Sequence, residues 1–256
     1  MKATPESILS LAARTATRIG TFGLEQGAID GPMQNPDHPY WQAIEQTLAT
    51  KAPPNWQAIE QTLATKAPPM SETEIVIAQL EDWKKFYKNN FNLDADFSGM
   101  EIPGKKKGFD RLIVVAQGLT LNQVFDACRK HFPCYRYTDD LDTAVPTNDR
   151  TPTVAYAIWV RERVEADKEH KNRSADDLKD AEVTGITLLE RMLFELKYFL
   201  ETGKHLDIEN VTLCAGSRCS GGDVPYACWD DGGFYIGWYC AISAFPLLRC
   251  REVVTL

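Results

Sequence analysis

Five of the seven cysteines fall between Cys214 and Cys250, in the stretch CAGSRCSGGDVPYACWDDGGFYIGWYCAISAFPLLRC. Thiols at that density first suggest metal binding or disulfide chemistry. Their odd total and uneven spread fit reduced thiols better than a disulfide framework. Outside the stretch, Cys128, His131 and Cys134 are spaced to face a metal from a helix end. Three ligands without a fourth are a weak zinc signal, and a half-buried helix with incidental thiols is the stronger reading. His205 and Asp207, two apart after Gly203, anchor a loop more readily than they act as acid and base. Asp223, Asp230 and Asp231 offer carboxylates of the kind calcium takes. A polar hairpin built on Asp-Gly accounts for the last two at least as well. No Gly-rich phosphate loop precedes a helix, and neither a nucleophile elbow nor HExxH occurs. The expectation is therefore no catalytic residue, no metal and no cofactor.

The same stretch is unusual in what it omits: none of its 37 positions is Lys, Glu, Gln or Met. In the 213 residues before it, those four types and Trp fill 49 positions, so about eight would be expected here by proportion. Only Trp229 and Trp238 occur. These five residue types are the ones that no pyrimidine-ending codon encodes. A β-rich region also loses Lys and Glu, because strands favour aromatic and branched residues. Glycine, thiol and aromatic content in a connecting region suits an adaptable binding surface, with the two Trp residues as core anchors or ligand contacts.

The rest of the chain must position that stretch. At 256 residues, 44% hydrophobic and 25% charged, the composition is globular and the length suits one domain with an extension, or two small domains. A net charge of −8 argues against nucleic acid as a partner. The one dense basic run, Lys105 to Lys107 between Gly104 and Gly108, reads as a solvated turn. No apolar stretch is long enough to span a membrane. Arg14 interrupts any signal-like N-terminal core, so a cytoplasmic location is expected, with surface display left open.

WQAIEQTLATKAPP at 41–54 repeats identically at 56–69, inside an expected extension over residues 1–69. Two units are too few for a solenoid. The domain expected over 70–256 opens with an amphipathic helix from Ile75 to Phe91 and a buried strand from Arg111 to Gln117. Thr120 and Gln123 form a capping box that starts a helix running to about His131. Ala155 to Arg161 is a second strand with Trp159 in the core, and the charged residues 161–182 are expected as a solvated excursion. A second box, Thr187 with Glu190, opens a helix apolar over most of its girth, which stops at Gly203. Strands are expected at Val211 to Ala215 and Arg249 to Leu256.

The order strand, Thr-capped helix, strand, Thr-capped helix and compact strand-and-loop C-terminus resembles an α+β C-type lectin-like domain, with two main helices and a small mixed or antiparallel sheet. The resemblance is to the branch shared with formylglycine-generating enzymes. GFDRLIVVAQGLTLNQVFDAC, GITLLERMLFELKYFLETGKHLDIENVTLCAGSR and LRCREVV resemble the variable proteins of bacterial diversity-generating retroelements, over roughly Glu81 to the C-terminus. In that family a reverse transcriptase copies a template repeat with errors at adenines, and the copy replaces the 3′ end of the target gene. Pyrimidine-ending codons follow. The resemblance implies a variable region at about 214–251 in a non-enzymatic binder of an unknown protein or other macromolecule. Its variable surface would comprise Cys219, Tyr226, Cys228, Tyr235, Gly237, Tyr239, Cys240, Ala241, Ser243, Phe245 and Cys250. Trp229, Trp238, Gly216, Arg218, Val224, Pro225 and Arg249 would be the fixed frame. The enzyme branch implies a rival, a copper oxidase using Cys240 and Cys250. A structural protein whose Cys-rich end is an oligomer interface is a third reading; the oligomeric state is not predicted.

Overall fold

The structure, a computed structural model, describes residues 71–256, so the tandem repeat lies outside the described residues. A compact unit runs from Gln79 to Leu256. Helix α1 (Glu72–Phe91) buries Trp83, Phe86 and Tyr87 on one face. It covers the free edge of strand β1 (Arg111–Val115), where Trp83 Nε1 donates to Leu112 O at 3.3 Å and the Tyr87 hydroxyl donates to Val114 O at 2.6 Å. The exposed ladder of an edge strand is thus satisfied by side chains.

Both expected capping boxes form. Thr120 and Gln123 start α2 (Leu121–Arg129), and Thr187 and Glu190 start α5 (Leu188–Thr202), each hydroxyl accepting from the N3 amide while the N3 side chain accepts from the cap. Between them come β2 (Cys134–Arg136), the short α3 (Leu141–Ala144), β3 (Thr147–Asn148), β4 (Tyr156–Val160) and α4 (Ala175–Asp180). Helix α5 is buried without a break from Leu188 to Lys197 and stops at Gly203, whose φ of 67° is the left-handed cap that glycine adopts at low cost. Glu190 also binds Arg150 through both carboxylate oxygens, at 2.6 and 2.9 Å, and so ties the helix start to the preceding loop. Thr187 is fully buried, so Thr187→Ala is expected to cost about 1–2 kcal/mol, read as a lower urea midpoint at unchanged slope.

After α5 come β5 (Val211–Leu213), β6 (Ser217–Arg218), β7 (Val224–Asp230), β8 (Gly233–Tyr239), β9 (Leu248–Cys250) and β10 (Val253–Val254). The strands make a three-stranded sheet in the order β1-β4-β10, a five-stranded sheet β2-β8-β7-β5-β9 and a small β3-β6 pair. The fold is α+β, with five α-helices and no barrel among the described residues. The five-stranded sheet is mixed: β2 runs parallel to β8 and β5 parallel to β9, while β7 is antiparallel to both β8 and β5. Asp231 and Gly232, at φ 42° and 77°, turn β7 into β8 as the expected two-residue hairpin.

Two expectations need correction. The closing strand is broken: β9 lies in the five-stranded sheet and β10 in the three-stranded one. Between them Arg251 turns inward and is fully buried. The charged run 161–182 is not a solvated excursion. It carries a 3₁₀ turn (Lys168–His170) and α4, and it buries Ala166, Asp167, His170, Ser174, Ala175 and Leu178. Its charges pair locally, Arg161 with Asp167 at 2.5 Å and Arg163 with Glu169 at 2.7 Å, which leaves its sparse apolar residues free to pack.

Candidate binding face and the network behind it

Side chains alternate along a strand, so the β7-β8 register assigns each residue to a face. Tyr226 lies opposite Gly237, Cys228 opposite Tyr235, and Val224 opposite Tyr239, all on one face. Ala227, Ile236, Trp229 and Phe234 occupy the other. The five expected variable positions on these two strands, Tyr226, Cys228, Tyr235, Gly237 and Tyr239, therefore share the outer face.

The reverse face is structural. Trp229 stacks on the His205 ring, which stacks in turn on Phe199 of α5 at 4.8 Å, and Phe132 meets Trp229 edge-on at 5.9 Å. His205 Nδ1 lies 2.9 Å from Glu195 Oε1. Behind the same strands Asp207 is a buried hub. Its carboxylate accepts from Arg191 Nε at 2.9 Å, Arg251 Nη2 at 2.6 Å, the Ala166 amide at 2.8 Å and the Thr212 hydroxyl. Arg191 also donates to Glu195 at 2.8 Å. Two guanidinium groups thus face two carboxylates in the interior. Burial pulls the Asp207 carboxyl upward, but Arg251, Arg191 and the hydrogen bond from Thr212 outweigh it and hold the group below the ordinary range. His205 and Asp207 anchor a loop, as expected, and Asp207 also joins α5, β5 and the β9–β10 turn.

The outer face is aromatic. Tyr226 and Tyr239 stack at 4.5 Å, and Phe245 meets Tyr239 edge-on at 5.1 Å. From edge strand β2, Tyr135 stacks on Tyr235 at 4.7 Å. Tyr137, just past that strand, meets Trp238 at 5.5 Å. Tyr135 and Tyr137 are 50% and 68% exposed. These two tyrosines were missed in the sequence; their one signal was the two-residue spacing in CYRY. Their rings lie over glycines. A Cβ at Gly233 would sit 2.5 Å from Tyr135 Cε2, and one at Gly237 would sit 2.7 Å from both Tyr137 and Tyr226.

Several expected surface positions are corrected. Cys250 is 0% exposed: α4 covers that end of the outer face, and Ala175 and Leu178 join Leu213, Val224, Leu248 and Cys250 in a small core. Cys228, at 8% exposure, is buried beside the open tyrosines. Gly237 contributes no side chain and is enclosed by its tyrosine neighbours. Tyr235, Tyr239, Ala241, Ser243 and Phe245 are half-buried, and Cys240 is exposed. Cys219 lies apart, in the turn from β6 to β7, with its amide bonded to Asp223 O. Among the frame residues, Trp229 is wedged as described, whereas Trp238 is 44% exposed opposite Pro225, near the end of β8. Arg218 donates to the carbonyls of Ala215 and Ser217, and Arg249 to that of Ala166.

Of the two thiols in the copper reading, Cys240 is exposed and Cys250 is buried. Cys250 is fully buried in the cluster of Ala175, Leu178, Leu213, Val224 and Leu248, and burial pushes its pKa up to about 12. Burial also raises Cys228 to about 11 and Cys134 to about 12. The thiolate is the nucleophilic form, so burial leaves these thiols poor nucleophiles. Cys128 is buried and His131 is exposed beside Asn90. No cluster of three or more His, Cys, Asp or Glu suited to a metal occurs among the described residues. Nor does any helix among them have the length and apolarity to cross a membrane. No protein family model, no curated protein and no solved structure matches the chain.

Proposed function

We propose that the protein is a non-enzymatic binder that recognises a macromolecular partner through the open outer face of β2, β8 and β7 and the loop that follows β8. The observation that carries this reading is the sharing of that face by the candidate variable residues of both strands, while Trp229 and the Asp207 network hold the reverse face to α5. A surface can vary only where folding energy comes from elsewhere, and here the far side of the sheet and the α4-covered end of the outer face supply it. Tyrosine supplies large contact area at low entropic cost.

We further propose that the domain is a C-type lectin-like fold of the variable-protein kind. Its support is the element order β1, Thr-capped α2, β4, Thr-capped α5 and the compact C-terminal strands. The copper-oxidase alternative draws no support from the enclosed Cys250 thiol.

A display library tests the binding reading. With Tyr226, Tyr235, Tyr239, Cys240, Ala241 and Ser243 randomised, most members should still fold and selection against unrelated target proteins should return distinct binders. Widespread unfolding, or binders no better than the unselected pool, would sink it. The retroelement part predicts a reverse transcriptase gene and an imperfect repeat of the 3′ coding end in the neighbouring DNA; their absence would remove that part alone.

A further inference from the structure

We propose that the Tyr135–Tyr235 stack, together with Asp230 and Asp231, forms a recognition site for an arginine side chain on a partner polypeptide. The inference rests on the reading of the outer face as a binding surface and adds the chemistry of what one part of it binds.

Tyr135 stands on β2, the edge strand of the five-stranded sheet, and stacks on Tyr235 with the ring planes 18° apart. Its ring is seated on the bare backbone of Gly233, where a Cβ would collide with Cδ2 and Cε2. An aromatic pair is thus held in place with half of Tyr135 open to solvent. The β7–β8 hairpin sets Asp230 and Asp231 beside this pair, both exposed, and neither has an ion-pair partner among the described residues. Tyr235 senses them: its hydroxyl pKa is raised by desolvation, then by Tyr135, Asp231 and Asp230. The neighbouring cation cannot fill the site, because Arg136 lies over the Phe125 ring at 4.5 Å and donates to Asn122 Oδ1 at 2.8 Å.

A π-face carries negative charge density, and two carboxylates at its border add to it. Such a site repels phosphate and carboxylate and attracts cations. Arginine suits it better than lysine, since a planar guanidinium can lie on the ring while its N–H groups reach the carboxylates.

The test is isothermal titration of the full chain with a capped tri-arginine peptide and its uncharged tri-citrulline analogue. The arginine peptide should bind, and the citrulline peptide should bind about tenfold more weakly or not at all. Tyr135→Leu and Tyr235→Leu, which leave net charge unchanged, should each weaken binding by about three- to tenfold, whereas Tyr135→Phe should match wild type. Asp230→Asn with Asp231→Asn should weaken binding to a similar degree; Asp94→Asn with Asp96→Asn, the same charge change elsewhere on the surface, should not. Circular dichroism establishes that each variant is folded. Either of two results overturns the site: equal binding of both peptides, which means that charge is not read, or leucine variants equal to wild type, which leaves only diffuse attraction to an acidic protein. If the display library yields binders while the peptide does not bind, this site alone fails; if both fail, the binding-surface reading falls too.

Discussion

Asp207→Asn is expected to destabilise the domain by about 3–5 kcal/mol, because it leaves the buried guanidinium groups of Arg191 and Arg251 facing one remaining carboxylate, that of Glu195. The substitution is close to isosteric, and Asn tolerates the positive φ of 56° at this position, so the loss reports charge rather than shape. Urea unfolding of wild type and variant measures it. Lys84→Ala, which breaks the exposed pair with Glu81, is the reference and should cost below about 1 kcal/mol. Equal effects at the two sites would show that the interior network contributes no more than a surface pair. The same carboxylate sets a pH dependence. Its pKa is lowered in the fold, so in the window between the folded and unfolded values the unfolded chain binds more protons. The stabilisation is then fully present above the unfolded aspartate value of about 3.9 and is lost as pH falls through the folded one. Wild type should weaken on acidification below about pH 4, and Asp207→Asn should lack that share of the slope.

The network was hidden in the sequence for a physical reason. Arg191 and Glu195 sit one turn apart on a helix, where such a pair is ordinarily a surface feature, and Arg251 meets Asp207 only through the tertiary fold, 44 residues away in sequence. The helices α2 and α5 were legible because a hydroxyl cap, a reciprocal N3 side chain and an apolar period all agree locally. The β7–β8 hairpin was legible because Asp-Gly encodes its positive φ values. From that hairpin the strand alternation places Tyr226, Tyr235 and Tyr239 on one face. Cys250 was misplaced because nothing in its own neighbourhood tells that α4 lies over it. The covering residues, Ala175 and Leu178, sit in a run whose charges mask them. Tyr135 and Tyr137 escaped notice since a three-residue strand gives period 2 little room to show.

Gly216 and Gly237 should respond in opposite ways to the same added methyl group, and the contrast separates frame from face. A Cβ at Gly216 would meet the Gly185 carbonyl oxygen at 2.6 Å, Thr187 Cγ2 at 3.1 Å and the Ile186 carbonyl carbon at 3.2 Å. Two of these are backbone atoms at the start of α5, and Gly216 is further held by its amide to Ile186 O at 3.0 Å and its carbonyl to the Asp149 amide at 2.8 Å. The contact cannot open without moving the helix start, so Gly216→Ala should cost about 1–3 kcal/mol or more. At Gly237 the obstacles are the ring carbons of Tyr137 and Tyr226, the far ends of side chains on a solvent-facing surface. They can swing, and Ala also loses less chain entropy than Gly on folding. Gly237→Ala should therefore stay within about 1 kcal/mol of wild type. What should change is the surface: Tyr137 leaves its edge contact with the exposed Trp238, and a shift in Trp fluorescence at unchanged urea midpoint reads that out. A midpoint loss at Gly237 matching that at Gly216 would mean that the tyrosine layer is part of the fold's core. A small loss would mean that side chains can change there while the sheet beneath holds, as a surface open to variation requires.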